Sequence, residues 1–206
     1  MRVVKEAEIR RNEILDMAEE LFGSKGFDQT STNDILERVG IARGTLYYHF
    51  RSKEEILDAM IARMADRLIA EAAKVAEDRS VPLLERLPRT VLALNVDSSI
   101  GDEVMQQVHR PQNALLHQKL EDRLLRGVIP LITLLVEDGI GQGIFRTDYP
   151  REAAEMIMIY AYTAFDGLAE QTAEQRQQRI EGFICNVERI LGAQEGALRE
   201  AILKIF

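Results

Sequence analysis

Between Ala42 and Glu55 the chain runs ARGTLYYHFRSKEE, which sets two phenols, an imidazole and two hydroxyls among the cations Arg43, Arg51 and Lys53. Such side chains carry positive charge or donate hydrogen bonds, so the partner they suit is an anionic acceptor such as phosphate. From Arg38 to Lys53 there are four Lys or Arg and no Asp or Glu, in a protein whose formal net charge is −8. Residues 55–206 hold 17 basic against 24 acidic residues, so the positive patch is local. A charge run is most often just a solvated face. The pattern of aromatic residues within this one has to carry the argument.

The rest of the chain offers little chemistry. Catalysis would need a nucleophile beside a base or two carboxylates buried together, and the sequence holds three His and one Cys, with HRPQNALLHQKLED (109–122) as its nearest polar cluster. His109 and His117 would share a helix face, but Pro111 interrupts the spacing and no third ligand accompanies them. No metal and no cofactor is implied. GIGQG (139–143) resembles a phosphate loop only superficially: it follows a helical segment and lacks the downstream Lys-Ser/Thr, so it reads as a helix-ending turn. The lone Cys185 allows no intramolecular disulfide. The start, MRVVKEAEIRRNEIL, has no signal-peptide core, and the apolar run at 127–136 is shorter than the roughly 20 residues of a membrane span. A cytoplasmic protein with no membrane association is expected.

The elements that must position the patch are all helical, since apolar residues recur at helical spacing and nowhere alternate as in a strand. A first helix is predicted over 6–23, with Ile14, Ala18, Leu21 and Phe22 on one stripe, ending at Gly26. STND (31–34) and SKEE (52–55) are capping-box patterns that open a short second helix and a long fourth one reaching about Ala76. Between them VGIA makes a tight turn into a third helix over 42–49, with Gly40 supplying the positive φ. Two short helices around such a turn form a helix-turn-helix. Leu46 and Phe50, four apart, face inward, which sends Gly44, Thr45, Tyr47 and Tyr48 outward. Exposed tyrosines make sense where a helix enters a DNA major groove, and Lys53 at the first turn of the next helix suits a phosphate. Further helices are predicted over 81–95, 101–108, 112–126, 128–140, 150–171 and 174–191, with a short one after Gly196; Pro130 is expected to kink or break its segment.

AEELFGSKGFDQTSTNDILERVGIARGTLYYHFRSKEEIL resembles the DNA-binding domain of the TetR-type bacterial transcriptional regulators over about residues 8–60. The resemblance runs in unbroken register through Ala18, Leu21, Phe22, Gly26, Phe27, Ile35, Gly40, Gly44, Thr45, Leu46, Tyr47, His49, Phe50, Lys53, Glu54 and Leu57. DGIGQGIFRTD (138–148) resembles the family's phrase after its long central helix. The resemblance implies an all-α protein: a three-helix DNA-binding domain over 1–53 and a larger helical effector-binding and dimerisation domain over 54–206. It implies that Thr32 and Asn33 sit near the DNA, Arg43, Gly44, Thr45 and Tyr47 at base edges or adjacent phosphates, and Tyr48, His49 and Lys53 on phosphates. Two departures stand out. Ala42 replaces a frequent Ser, removing a cap worth about 1 kcal/mol, and Leu36 stands where a small residue is usual.

The resemblance further implies a homodimer on a near-palindromic double-stranded operator, released by a small-molecule effector, in the manner of a repressor. The sequence offers an apolar segment at 151–170 and a stripe at 174–191 for the interface, with Ile159, Phe165, Ile180, Phe183, Ile184 and Val187 as candidates. Met105, Gln106, His109, Asn113, His117, Met158 and Tyr162 are candidates for the effector pocket. The competing readings are a helical ligand-binding protein or enzyme with a degenerate head, and an adaptor acting through protein contacts alone. An adaptor would have no need of Thr45, Tyr47 and Lys53.

Overall fold

The computed structural model describes residues 2–94, 114–165 and 172–206. Among these every regular element is helical: α1 (Arg2–Lys25), α2 (Thr32–Val39), α3 (Arg43–His49), α4 (Lys53–Glu77), α5 (Leu83–Ala93), α6 (Ala114–Gly141), α7 (Pro150–Phe165), α8 (Ala173–Leu191) and α9 (Arg199–Leu203). The helix expected at 101–108 and the end of the one expected over 150–171 lie outside the described residues. So do Met105, Gln106, His109 and Asn113, along with the side chain of His117.

The described residues fall into two compact units, one of 2–67 with 114–123, the other of 68–94 with 124–165 and 172–206. Both α4 and α6 therefore pass from one unit into the other. The first unit claims the start of α6 through ion pairs: Lys119 reaches Asp58, and Arg123 reaches Asp66 at 3.0 Å. On the opposite partner of α4, Arg63 pairs with Asp16 and Glu19 of α1 at 2.7 and 2.9 Å. The core of this unit is the expected α1 stripe, with Ile14, Ala18 and Phe22 buried alongside Ile35, Leu46, Phe50, Ile56 and Met60.

In the second unit α5–α9 surround an apolar core of Val128, Ile132, Leu135, Phe145, Ala154, Ile157 and the α8 stripe. Residues 112–126 and 128–140 were expected as separate helices, but α6 runs through Pro130 unbroken. Proline costs a helix interior about 3 kcal/mol, and the burial of Val128, Ile132, Leu135 and Val136 on this same helix offsets it. The GIGQG stretch ends α6, with the Ile144 and Phe145 N–H groups donating to the Gly139 carbonyl at 2.9 and 3.1 Å. Gly139 is required because a Cβ there would overlap the Phe145 ring.

The end of α4 is held by a buried ion pair. Arg86, only 2% exposed, donates to the Ala76 carbonyl and to Asp138, both at 2.8 Å. Ala76 lies in the last turn of α4, where carbonyls lack helical partners, so Arg86 both neutralises Asp138 and caps the helix.

The interface candidates fall differently from expectation. Ile180, Phe183, Ile184 and Val187 face the core of their own unit and are buried there. Phe165 is half-buried in ring contact with Phe183 and Phe206. Ile159 alone of the six presents a large exposed surface, with Met156 and Tyr160 beside it on α7. A 3.6-residue apolar stripe announces burial without saying against what, and here the protomer itself takes it. Among the described residues, no helix is long and apolar enough to cross a membrane.

Candidate nucleic-acid interface

Local chemistry builds the α2–α3 pair. Ser31 caps α2: its hydroxyl accepts from the Asp34 N–H at 3.1 Å, while the Asp34 carboxylate accepts from the Ser31 N–H at 2.7 Å. These bonds with Ser31, helped by Lys25 at 3.1 Å, pull the Asp34 pKa down to about 2. The helix stops at Gly40, whose φ of 73° is open to glycine at little cost; its N–H donates to the Leu36 carbonyl at 2.9 Å. Ala42 then opens α3 with no side-chain cap, as its methyl dictates. At 52–55 the capping box is altered. Ser52 accepts from the Glu55 N–H at 3.2 Å, but Glu55 reaches back to the N–H of Arg51 at 2.6 Å.

Leu46 and Phe50 anchor α3, each 1% exposed, and the opposite face stands clear, with Tyr47 45% and Tyr48 79% exposed. Arg43 and Gly44 are exposed beside them, and Thr45 and His49 are half-buried. Nothing in the protein lies within 4 Å of where a Gly44 Cβ would be, and its φ is ordinary. The fold itself makes no demand for glycine there, so any such demand comes from outside. Asn33 is brought against this face: its side-chain oxygen accepts from Arg43 at 3.2 Å, joining the first turns of α2 and α3. Thr32 precedes it, half-buried, at the start of α2.

Besides Arg43, two further cations of the patch are engaged within the protein. Arg38 forms an ion pair with Glu20 of α1. Lys53 donates to the Phe27 carbonyl at 2.7 Å and lies 4.2 Å over the Phe27 ring. An ammonium has three donors, so Lys53 keeps others for a second acceptor while Phe27 fixes its position.

Sequence reading did not anticipate Arg11. From α1 its guanidinium covers the Phe50 ring at 4.2 Å and donates to the His49 carbonyl at 3.1 Å, locking the end of α3. His49 is held below the usual imidazole pKa by burial first, then by the charges of Arg11 and Arg10. The only signal was the Arg10–Arg11 pair in an otherwise mixed helix, and no spacing rule links it to residue 49.

Comparison with known proteins agrees with this architecture. Residues 14–60, which contain every residue of this face, match the bacterial regulatory proteins of the tetR family, and residues 96–181 match the tetracyclin repressor-like C-terminal domain. The chain is 31% identical over 155 residues to the HTH-type transcriptional repressor KstR2 of Rhodococcus jostii, covering 70% of this chain and 72% of that protein. The chain belongs to the TetR family. Against KstR2 of Mycobacterium tuberculosis the identity is 36% over 92 residues, which is 45% of this chain and 46% of the relative, so the chain spans about half the length of that curated relative. The fold is also that of SmeT, the repressor of the Stenotrophomonas maltophilia multidrug efflux pump SmeDEF, at a TM-score of 0.61 and 19% identity over 90% of this chain and 91% of that one. In this TetR-family chain Arg43, Gly44, Tyr47 and Tyr48 of α3 are exposed, Thr45 is half-buried, and Asn33 of α2 is hydrogen-bonded to Arg43. The pocket candidates scatter: of the two with described side chains, Met158 lines an apolar cavity in the second unit and Tyr162 does not.

Proposed function

We propose that this TetR-family chain is a DNA-binding transcriptional repressor which grips a near-palindromic operator as a homodimer and is released by a small molecule. The observation that carries the reading is the outward face of α3: two exposed tyrosines and a glycine with open space before it, on a helix anchored from behind by Leu46 and Phe50. Phenol edges and a bare backbone suit contact with base edges and sugar-phosphate, and a buried anchor holds such a helix in register. Thr32, Asn33, Arg43, Gly44, Thr45, Tyr47, Tyr48, His49 and Lys53 make up the contact set. Residues 1–53 act as the reading head and 54–206 as the effector-binding and dimerisation part.

Met156, Ile159 and Tyr160, exposed at i, i+3 and i+4 on α7, support pairing with a second copy of the chain. Two copies would place two α3 helices on half-sites about one helical turn apart. Light scattering at micromolar concentration checks this, with a monomeric mass as the contrary result.

The test of the whole reading is selection of duplexes from a randomised pool, followed by fluorescence anisotropy against competitor DNA. Enrichment of a near-palindrome that the protein holds despite competitor is the expected result. A pool that remains unenriched, with binding that collapses as salt rises, would reduce the face to a non-specific basic patch.

A further inference from the structure

The second unit contains a cavity of about 100 Å³ whose described lining, sixteen residues from α5 through α9 with Leu198, Ile205 and Phe206, is apolar throughout. Val91, Val136, Met158, Val187, Ile202 and Phe206 represent its walls. We propose that this cavity binds a small uncharged hydrocarbon, a ring or a short alkyl segment, and that it accepts no charged group; as the effector site, this deepens the repressor reading and rests on it for its regulatory meaning.

The charged groups nearest in sequence to the described walls are held by partners of their own. Arg86 precedes the lining residue Leu87, but its two terminal nitrogens bind the Ala76 carbonyl and Asp138; its Nε and the Thr90 hydroxyl are buried without a hydrogen-bond partner, and neither residue is among the described walls. Glu188 follows the lining residue Val187, yet its carboxylate accepts from the Gly196 and Leu198 N–H groups at 3.0 and 2.9 Å, so it serves the turn before α9. An ion entering the cavity would lose its hydration and find no partner among the described walls, a cost of several kcal/mol. A hydrocarbon loses only its water and gains wall contacts that the empty cavity lacks. Apolar cavities of roughly this size, about 150 Å³, stay dry and admit a benzene ring.

One wall faces solvent. The Phe206 ring is 46% exposed and rests on the rings of Phe165 and Phe183, with centroids 4.3 and 6.4 Å away. α9 itself is tied down by the Arg199–Glu181 ion pair and the Glu188 bonds. The Phe206 side chain is held by ring contacts, which makes it the wall that can part to admit a guest.

The test is isothermal titration of the full-length protein with three near-isosteric probes: toluene, benzoate and benzylammonium. One toluene per chain is expected, with both ions at least about tenfold weaker because nothing in the cavity offsets their desolvation. Ala161→Phe, which fills the cavity from α7, should abolish toluene binding. Phe206→Ala, at an exposed position that leaves the core intact, should weaken it by about threefold or more through loss of wall contact. Absence of toluene binding, equal binding by both variants and the wild type, or benzoate or benzylammonium matching toluene would each overturn the proposal. Anisotropy on the selected operator keeps the two readings apart. Toluene that binds without loosening DNA upholds the hydrocarbon site and defeats effector release, whereas intact operator binding with no toluene site defeats only the proposal.

Discussion

The outward face of α3 and the cavity of the second unit are built by opposite strategies. α3 is a seven-residue helix whose turn and apolar anchors Leu46 and Phe50 come from within about ten residues of sequence, with Arg11 of α1 as its one described distant tie, and it holds its functional groups out toward solvent. The cavity draws its described lining from five helices and their flanking residues between 87 and 206, and that lining is apolar throughout. A surface built locally can exchange its presented side chains without disturbing its anchors. A site built from distant segments cannot, because each wall residue is also core. Function and stability should therefore separate in the head and remain entangled in the second unit.

The largest effect that tests this contrast lies in the second unit. Asp138→Ala would leave the Arg86 guanidinium buried without its partner and should cost about 3–5 kcal/mol of stability in chemical denaturation. A loss below about 1 kcal/mol would mean that the Ala76 carbonyl alone suffices for Arg86, or that water enters. Next comes the head. Tyr47→Ala should weaken operator binding by about 1–3 kcal/mol while leaving the denaturation midpoint almost unmoved, since the ring is nearly half exposed. Equal losses of binding and stability would show that presentation and anchoring are not separable there.

Ala42→Ser should stabilise the head by about 1 kcal/mol through the hydroxyl that α3 lacks at its N-cap, read as a raised midpoint. The smallest effect concerns pH. Because His49 in the folded protein titrates below its unfolded value of 6.5, the unfolded chain takes up the proton first as pH falls. The stability associated with neutral His49 is thus present above pH 6.5 and is lost as pH falls from there toward the lowered folded pKa. His49→Gln should remove that part of the slope between pH 7.5 and 5.5, measured as the difference between the two denaturation series. Parallel slopes for wild type and variant would show that His49 is as well solvated as in the unfolded chain.

Much of the head was legible because its determinants are short-range. Ser31 and Asp34 are three apart, Leu46 and Phe50 four apart, and Gly40 is one residue from the turn it makes; each relation is a rule of helix geometry. Arg11 escaped notice because its partners His49 and Phe50 are 38 and 39 residues away, where no periodicity applies. Lys53 was placed at the right helix turn, but its hold on Phe27 depends on a loop brought back from α1. In the second unit the apolar stripe on α8 was visible and its destination was not. Ile180, Phe183, Ile184 and Val187 fit a partner or a core equally well as a pattern, and the packing of α5, α6 and α7 around them decided for the core. At Pro130 the local rule allows a kink or a break, and burial along the rest of α6 outweighs the break.

By itself the sequence determined that this protein is helical, where the turn between α2 and α3 falls, and that Gly44, Tyr47 and Tyr48 point outward from α3, because caps, turns and amphipathic spacing act over a handful of bonds. The tertiary structure alone decided that Arg86 would be buried on Asp138, that the α8 stripe would be used up within its own protomer, and that apolar side chains from five helices would meet around one cavity. Those outcomes depend on which distant faces come together, and hydrophobic burial, having no direction of its own, is settled only when the whole set of faces has been packed.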